Sequence, residues 1–324
     1  MVARVSPLLP VPRSGNILTS SRRTLKTRVI AALVVLASWS VVACGPEETS
    51  PGAMQSELAV NHGEVLLTYT QQIGERAEDS NGDTFTLSAR FVRIRELGEQ
   101  AERSPWNQDL SLVEVEPNEC LDIPSSGEHV LAGSFDLLDA GELTLRQGDQ
   151  ETRIPDWSFP SVYGVVAGVA YGGDEALRIG FQPGEEYRLL GTGSEEISSI
   201  DVTIRAPAEL TSVTVSGVDV SGGPVSLESA GGLDVRWEPG DDGNDVLVEL
   251  AYAQFSTEER VICRSPDDGQ LEVPAELAER LWETGVSEAR LVIRRVQRQT
   301  FRTDGLDEGE AFFVVVLTVP LRIP

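Results

Sequence analysis

The chain contains few side chains with strong nucleophilic or metal-binding chemistry: the thiols of Cys44, Cys120 and Cys263, and the imidazoles of His62 and His129. Neither histidine belongs to an HExxH motif, and there is no CxxC pair or cysteine–histidine cluster, so the spacing does not favour a zinc site. The chain also lacks a GxSxG nucleophile motif and a phosphate-binding P-loop. We therefore predict a protein that is not an enzyme, with no catalytic residue, no metal and no cofactor.

Cys44 follows a segment that has the parts of an export signal. Residues 1–28 carry six basic residues and no acidic one, and an apolar run then extends from Val29 to Val42. This run is shorter than the roughly 20 apolar residues that a membrane-spanning helix needs. A basic segment, a short apolar core and small residues before a cleavage site predict a signal peptide that is removed from the mature protein.

The apolar run ends in Val41-Val42-Ala43-Cys44, which resembles the lipobox of bacterial lipoproteins. The resemblance implies that a diacylglycerol is joined to the Cys44 thiol, that residues 1–43 are removed, and that the polar residues 44–58 are a tether. Because two or three acyl chains hold a protein stably on a membrane, we expect a lipid-anchored protein of the cell envelope, on the outer rather than the inner membrane.

The net charge restricts the classes of partner. The chain has 52 acidic and 26 basic residues and a net charge of −26, and removing residues 1–43 takes away six basic residues and leaves a net charge of −32. Contacts to phosphates need Lys and Arg, so this charge argues against nucleic acid and against adsorption to anionic lipid. The expected partners are the membrane, through the lipid on Cys44, and an envelope protein or polysaccharide.

Two cysteines remain for the folded body, Cys120 and Cys263. An exported protein enters an oxidising compartment in which disulfides persist, and this favours a bond between them. Two separate buried thiols are the alternative. A bond across so long a loop would stabilise the fold by roughly 5 kcal/mol in the chain-entropy model.

The body alternates short strands with turns. Phe85, Leu87, Ala89 and Phe91 alternate with polar residues, a period of two that is typical of a half-buried strand. Further strands are predicted in segments 110–116, 162–171, 186–190, 200–205, 246–252, 261–263, 289–301 and 311–323. One short helix is predicted between Pro274 and Gly285. This pattern predicts an all-β fold of two immunoglobulin-like β-sandwich domains, residues 59–206 and 207–324.

The segment Leu233-Asp234-Val235-Arg236-Trp237-Glu238-Pro239 resembles a strand of fibronectin type III and related immunoglobulin-like domains, which implies that Trp237 is buried between two sheets. A larger pattern resembles a class of uncharacterised lipoproteins of myxobacterial-type genomes. Its elements in this chain are Leu138-Asp139-Ala140-Gly141, Pro183-Gly184-Glu185-Glu186-Tyr187, Ala206-Pro207, Trp237, Cys263, Asp267-Asp268-Gly269 and Val273-Pro274. That resemblance implies an exported, β-rich, non-enzymatic body. Asp267-Asp268-Gly269 also has the composition of a hairpin turn.

The sequence allows two interpretations for each of three features. The acidic runs either offer oxygens to calcium or form solvated turns; they contain Asp79, Asn81, Asp83, Asp241, Asp242, Asn244 and Asp245. The aromatic group Trp157, Phe159 and Tyr163 forms either a sugar-binding platform or a plug of the core. The protein as a whole has either a non-catalytic binding, adhesion or structural role, or the role of an envelope polysaccharide hydrolase or a carbohydrate-binding accessory protein. A hydrolase would need two facing carboxylates.

Overall fold

Strands make up most of the chain that the computed structural model describes, which comprises residues 59–73, 83–94, 115–123, 135–162, 166–173, 177–228, 231–240, 243–254 and 257–324. The first ten strands are β1 (Val60–Gln71), β2 (Thr84–Ile94), β3 (Cys120–Ile123), β4 (Phe135–Leu137), β5 (Leu143–Gln147), β6 (Gln150–Arg153), β7 (Asp156–Val162), β8 (Val166–Gly172), β9 (Glu186–Gly191) and β10 (Ile200–Arg205). The others are β11 (Thr214–Val215), β12 (Val218–Asp219), β13 (Val225–Ser226), β14 (Leu233–Arg236), β15 (Asp245–Gln254), β16 (Thr257–Pro266), β17 (Gln270–Val273), β18 (Glu288–Phe301) and β19 (Glu308–Arg322). The prediction of an all-β fold is confirmed.

One large sheet organises the described chain. Nine of its eleven strands follow the order β3-β16-β15-β18-β19-β1-β2-β8-β7, with β4 paired to β2 and β13 paired to β19. At its centre β1 lies parallel to β19, with Val65 beside Ala311 and Leu67 beside Phe313. β1 is antiparallel to β2 on its other side.

The sheet crosses the boundary that the sequence predicts at residues 206 and 207. β1 belongs to the first predicted domain and β19 to the second, yet they are direct neighbours. β3, also from the first domain, is the partner of β16. Residues Gln55–Pro324 form one compact unit, so strands from the two predicted domains, 59–206 and 207–324, share one sheet. A period of two identifies a strand but carries no information about which distant strand pairs with it.

Two four-stranded sheets supply the partners of the large sheet in the core. Their strand orders are β10-β9-β5-β6 and β12-β11-β14-β17. A single hydrophobic cluster contains Tyr187 and Val235 from these two sheets together with Leu87 and Phe313 from the large one. β10 shows why the sequence pattern works: buried and exposed residues alternate strictly from Ile200 to Arg205, as expected where one face packs on a core and the other meets solvent.

The predicted helix is present as two consecutive single turns, α1 (Ala275–Ala278) and α2 (Arg280–Glu283). Pro274 is the N-cap residue of α1. Gly285, which follows the C-cap residue Thr284 of α2, adopts a φ of 66°, a left-handed conformation that favours glycine at a helix end. Leu281 is fully buried. The pair of turns therefore packs on the same core as the sheets.

Asp267-Asp268-Gly269 is a corner between sheets, and the hairpin predicted there is wrong. It links β16 to β17, but β16 pairs with β15 and β3 whereas β17 pairs with β14 in a smaller sheet. Gly269 adopts a φ of 94°, and its carbonyl accepts a hydrogen bond from the backbone of Trp237 at 3.0 Å. The chain therefore passes from the large sheet to a four-stranded sheet at this turn.

Trp237 is 4% exposed and belongs to the main hydrophobic core, which confirms its predicted burial. Replacement of Trp237 by Ala is expected to lower the free energy of unfolding by about 3–5 kcal/mol, because it removes buried area and leaves a cavity. Urea denaturation of the mature protein measures the loss. Trp157, which is 47% exposed, provides the matched control: Trp157→Ala should cost well under half as much, and equal losses would contradict the core assignment.

Candidate functional site

Cys120 and Cys263 form a disulfide, so the bond favoured by the sequence is confirmed. The two residues are directly opposed in the antiparallel pair β3–β16, and their Cα atoms are 4.0 Å apart. β3 is the terminal strand at this end of the sheet. The disulfide therefore fastens a four-residue edge strand to the sheet covalently.

A buried ion pair lies where the two smaller sheets meet the large one. Arg295 on β18 is 0% exposed, and the Asp267 side chain in the corner after β16 is 2% exposed, with Arg295 Nε 2.7 Å from Asp267 Oδ2. Trp237 Nε1 donates to Asp267 Oδ1 at 2.7 Å. The backbone of Gly240 donates to Asp267 Oδ2 at 3.0 Å. Asp267 is thus held by one cation, one indole and one amide.

Arg295 also binds backbone carbonyls from two other segments. Its Nη1 donates to the carbonyl oxygens of Ala208 at 3.1 Å and Glu209 at 2.7 Å, and its Nη2 donates to the carbonyl oxygen of Glu238 at 2.5 Å. Residues 208–209 follow β10, and Glu238 follows β14. The guanidinium therefore joins the segment after β10 to the segment after β14, a strand of the β12-β11-β14-β17 sheet. This role is structural.

Sequence reasoning missed Arg295, although its signal was present. Leu291 and Ile293 lie on the core face of β18 and are fully buried, and a period of two places residue 295 on the same face. An arginine at a core position requires a buried acid and further acceptors, since burying an unpaired charge is costly. Asp267, read as a turn residue, is that acid.

Two buried tyrosines, Tyr187 and Tyr171, hold loops in place through hydrogen bonds from their hydroxyl groups. The Tyr187 hydroxyl donates to the Gly180 carbonyl oxygen at 2.8 Å and accepts from the Gln182 backbone at 2.8 Å, and burial raises the pKa of Tyr187 to about 12. The Tyr171 hydroxyl donates to Asp139 Oδ1 and accepts from the Ala140 backbone, each at 2.8 Å. Burial raises the pKa of this phenol as well.

The outer face of the large sheet carries ion pairs between neighbouring strands. Arg294 Nη1 lies 2.6 Å from Glu249 Oε2, with the two side chains 17% and 4% exposed, and Arg298 is paired with Glu310. Glu310 lies beside Glu64 in the register of β1 and β19, and both side chains are buried. Two neighbouring carboxylates are what the alternative of a hydrolase requires. Glu310, however, is in an ion pair with Arg298 on the adjacent strand β18, which indicates a structural role in joining the two strands.

The described members of the acidic runs are engaged by protein groups. Asp83 accepts hydrogen bonds from the Tyr69 hydroxyl at 2.5 Å and from the Gln72 backbone at 3.0 Å, and Asp245 pairs with Arg264 at 2.8 Å. Among the residues that the structure describes, no group of three or more His, Cys, Asp or Glu side chains is arranged to hold a metal ion.

Several predicted residues lie outside the described part of the chain. They are Cys44, Asp79, Asn81, His129, Tyr163, Asp241 and Asp242. His62 is described and is partly buried on β1, where its register neighbours are Glu308 and Val92. The described structure thus brings the two body cysteines together and leaves His62 apart from them.

Two members of the aromatic group, Trp157 and Phe159, are 47% and 48% exposed, so the core-plug interpretation is wrong for them. Both belong to β7, the terminal strand at the end of the large sheet away from β3. Trp157 is opposite Ala170, and Phe159 is opposite Gly168. The exposed aromatic pair Trp157 and Phe159 is hereafter the β7 aromatic surface.

The chain matches no protein-family model and no curated protein sequence. In the described portion, neither α1 nor α2 nor any other helix is long and apolar enough to cross a membrane.

Replacement of Arg295 by Met is expected to lower the free energy of unfolding by about 3–5 kcal/mol, because the buried Asp267 carboxylate loses its cation. Arg236→Met is the matched control, since Arg236 pairs with Asp234 at an exposed site with side chains 63% and 43% exposed. Exposed pairs contribute only about 0–1 kcal/mol. Urea denaturation distinguishes the two variants, and similar losses would show that the Arg295 pair does not organise the core.

Alkaline pH should unfold the protein in part through Tyr187. Burial raises the pKa of the Tyr187 phenol from 10.0 to about 12, so the fold favours its neutral form. This contribution to stability is complete below pH 10 and is lost as the pH rises towards 12. Tyr187→Phe should be less stable at pH 8 through two lost hydrogen bonds, about 1 kcal/mol each. Unfolding temperatures measured from pH 8 to 12 should show this difference shrinking; a constant difference would contradict the shift.

Proposed function

We propose that the chain is an exported, lipid-anchored protein of the cell envelope with a non-catalytic binding, adhesion or structural role. The observation that carries this proposal is the Cys120–Cys263 disulfide, taken together with the export signal predicted in residues 1–43. Disulfides form and persist in extracytoplasmic compartments and are rare in the cytosol. The bond therefore supports the export that the first 44 residues predict.

The folded body supports a binding or structural role more than a catalytic one. Several of its buried charged groups are in ion pairs that join strands or connections, as in Arg295–Asp267 and Arg294–Glu249. Reactive sites in enzymes usually place perturbed acids or bases in a cleft. The raised pKa values described above belong to tyrosines whose hydroxyl groups bind structural partners.

We further propose that each half of the body is an immunoglobulin-like layer built on the shared sheet. In such sandwiches a tyrosine at the start of a strand hydrogen-bonds backbone a few residues upstream, and Tyr187 at the start of β9 does so with Gly180. Trp237, buried at the end of β14, supports the same assignment for the second half. Immunoglobulin-like sandwiches serve many binding and structural roles, so the fold supports the class of role and no particular ligand.

The anchor is tested by Cys44→Ser. The wild-type protein should fractionate with membranes and incorporate labelled palmitate, because the Cys44 thiol carries the diacylglycerol. The variant should lose the label and leave the outer-membrane fraction, either as soluble protein or as uncleaved precursor.

The double variant Cys120→Ser/Cys263→Ser is the matched control, since it removes two thiols and keeps Cys44. It should still incorporate palmitate. Undiminished labelling of Cys44→Ser, or loss of labelling in the control alone, would disprove the lipid anchor on Cys44.

A further inference from the structure

We propose that the β7 aromatic surface binds a neutral polysaccharide, whose sugar rings stack on Trp157 and Phe159. The inference rests on the proposed envelope role and deepens it by naming the class of ligand.

The two rings project from one side of an edge strand. Residues 157 and 159 are two apart on β7, so their side chains share a face, and their Cα atoms are about 7 Å apart along the strand. The residues opposite them on β8 are Ala170 and Gly168, which carry a methyl group and no side chain. The directly opposed residues of β8 therefore place nothing larger than a methyl group beside the rings.

Gly173 positions the indole. A Cβ atom added at Gly173 would lie 2.7 Å from Trp157 Cη2, so the six-membered ring of the indole lies directly against this glycine. The contact is made by the outer edge of the ring, at Cη2, Cζ2 and Cζ3, and the side chain is still 47% exposed. A supported ring with a free surface is a stacking platform that needs little ordering when a ligand binds.

Exposure of this kind is unusual in the described body. Four large hydrophobic side chains are exposed there, and two of them, Trp157 and Phe159, are aromatic and share one strand face. Neighbouring exposed apolar groups indicate interaction sites more than scattered ones do. The face of an aromatic ring carries negative charge density, and it attracts the C–H groups that cover one side of a pyranose ring.

Charge selects a neutral ligand. The adjacent Asp156 lies 3.5 Å from Arg153 Nη2, and the same nitrogen lies 3.2 Å from Glu142, so the acids beside the surface share a cation. A net charge of −26 on the chain repels anionic polymers and lipid headgroups, and also a second copy of the chain. A neutral polysaccharide has no charge to be repelled, and the C–H groups of its sugar rings can stack on Trp157 and Phe159.

Native affinity electrophoresis of the mature lipidated protein in detergent tests the proposal. The gels contain hydroxyethylcellulose or dextran as neutral polysaccharides, alginate as an acidic one, or none. The wild-type protein should be retarded in at least one neutral gel and not by alginate. Trp157→Ala/Phe159→Ala should raise the apparent dissociation constant at least tenfold, while its unfolding temperature stays close to that of the wild type.

Three further variants isolate the stacking. Trp157→Phe keeps a ring and should retain most of the affinity. Gly173→Ala keeps the indole but displaces it, and should weaken retardation several-fold. Val218→Ala alters an exposed apolar residue on β12, 46% exposed, and should leave retardation unchanged.

Three results would overturn the proposal. They are retardation of the wild type by neither neutral gel, retardation that the double variant retains, and self-association in analytical ultracentrifugation that the double variant abolishes. None of these results depends on the palmitate labelling and fractionation of Cys44→Ser. Failure of the ligand assignment is therefore distinguishable from failure of the envelope anchor.

Discussion

The Arg295–Asp267 pair carries two charges into the core, and removing each from water costs several kcal/mol unless partners replace the water. Those partners come from separate parts of the chain: the carbonyls at 208 and 209, the carbonyl at 238, and the indole of Trp237. The charges are satisfied only when the connection after β10, the end of β14 and the corner after β16 are all in place. The pair therefore makes the large sheet and the connections to the two smaller sheets depend on one another.

The parallel pairing of β1 with β19 has the same effect on the large sheet. The first and last described strands are neighbours, so the centre of the sheet joins segments from opposite ends of the described chain. Such distant contacts carry a high loop-closure cost and are associated with slow folding. The Cys120–Cys263 bond also joins distant segments, 143 residues apart in sequence, and it limits the freedom of the unfolded chain between them.

The two ends of the large sheet differ in a way that bears on function. Exposed edge strands can pair with other chains, and natural proteins protect them. β3 is short and covalently fastened at one end, whereas β7 at the other end presents two exposed aromatic rings. The β7 edge, with its two exposed rings, is better suited to an uncharged ligand than to another copy of the protein, because two strongly acidic chains repel each other. The disulfide and the aromatic surface thus fit the envelope-binding role that we propose.

The sequence by itself determined the all-β class, several of the longer strands and the burial of Trp237, because each depends on short-range patterns of apolar and polar residues. It also favoured the Cys120–Cys263 bond through the count of cysteines and the expected compartment. Tertiary structure decided that β1 pairs with β19, that Asp267 turns between sheets to meet Arg295, and that Trp157 and Phe159 face solvent. These features depend on which distant segments become neighbours. An alternation of apolar and polar residues identifies a strand but does not specify its partner, so the sequence pattern alone could not predict them.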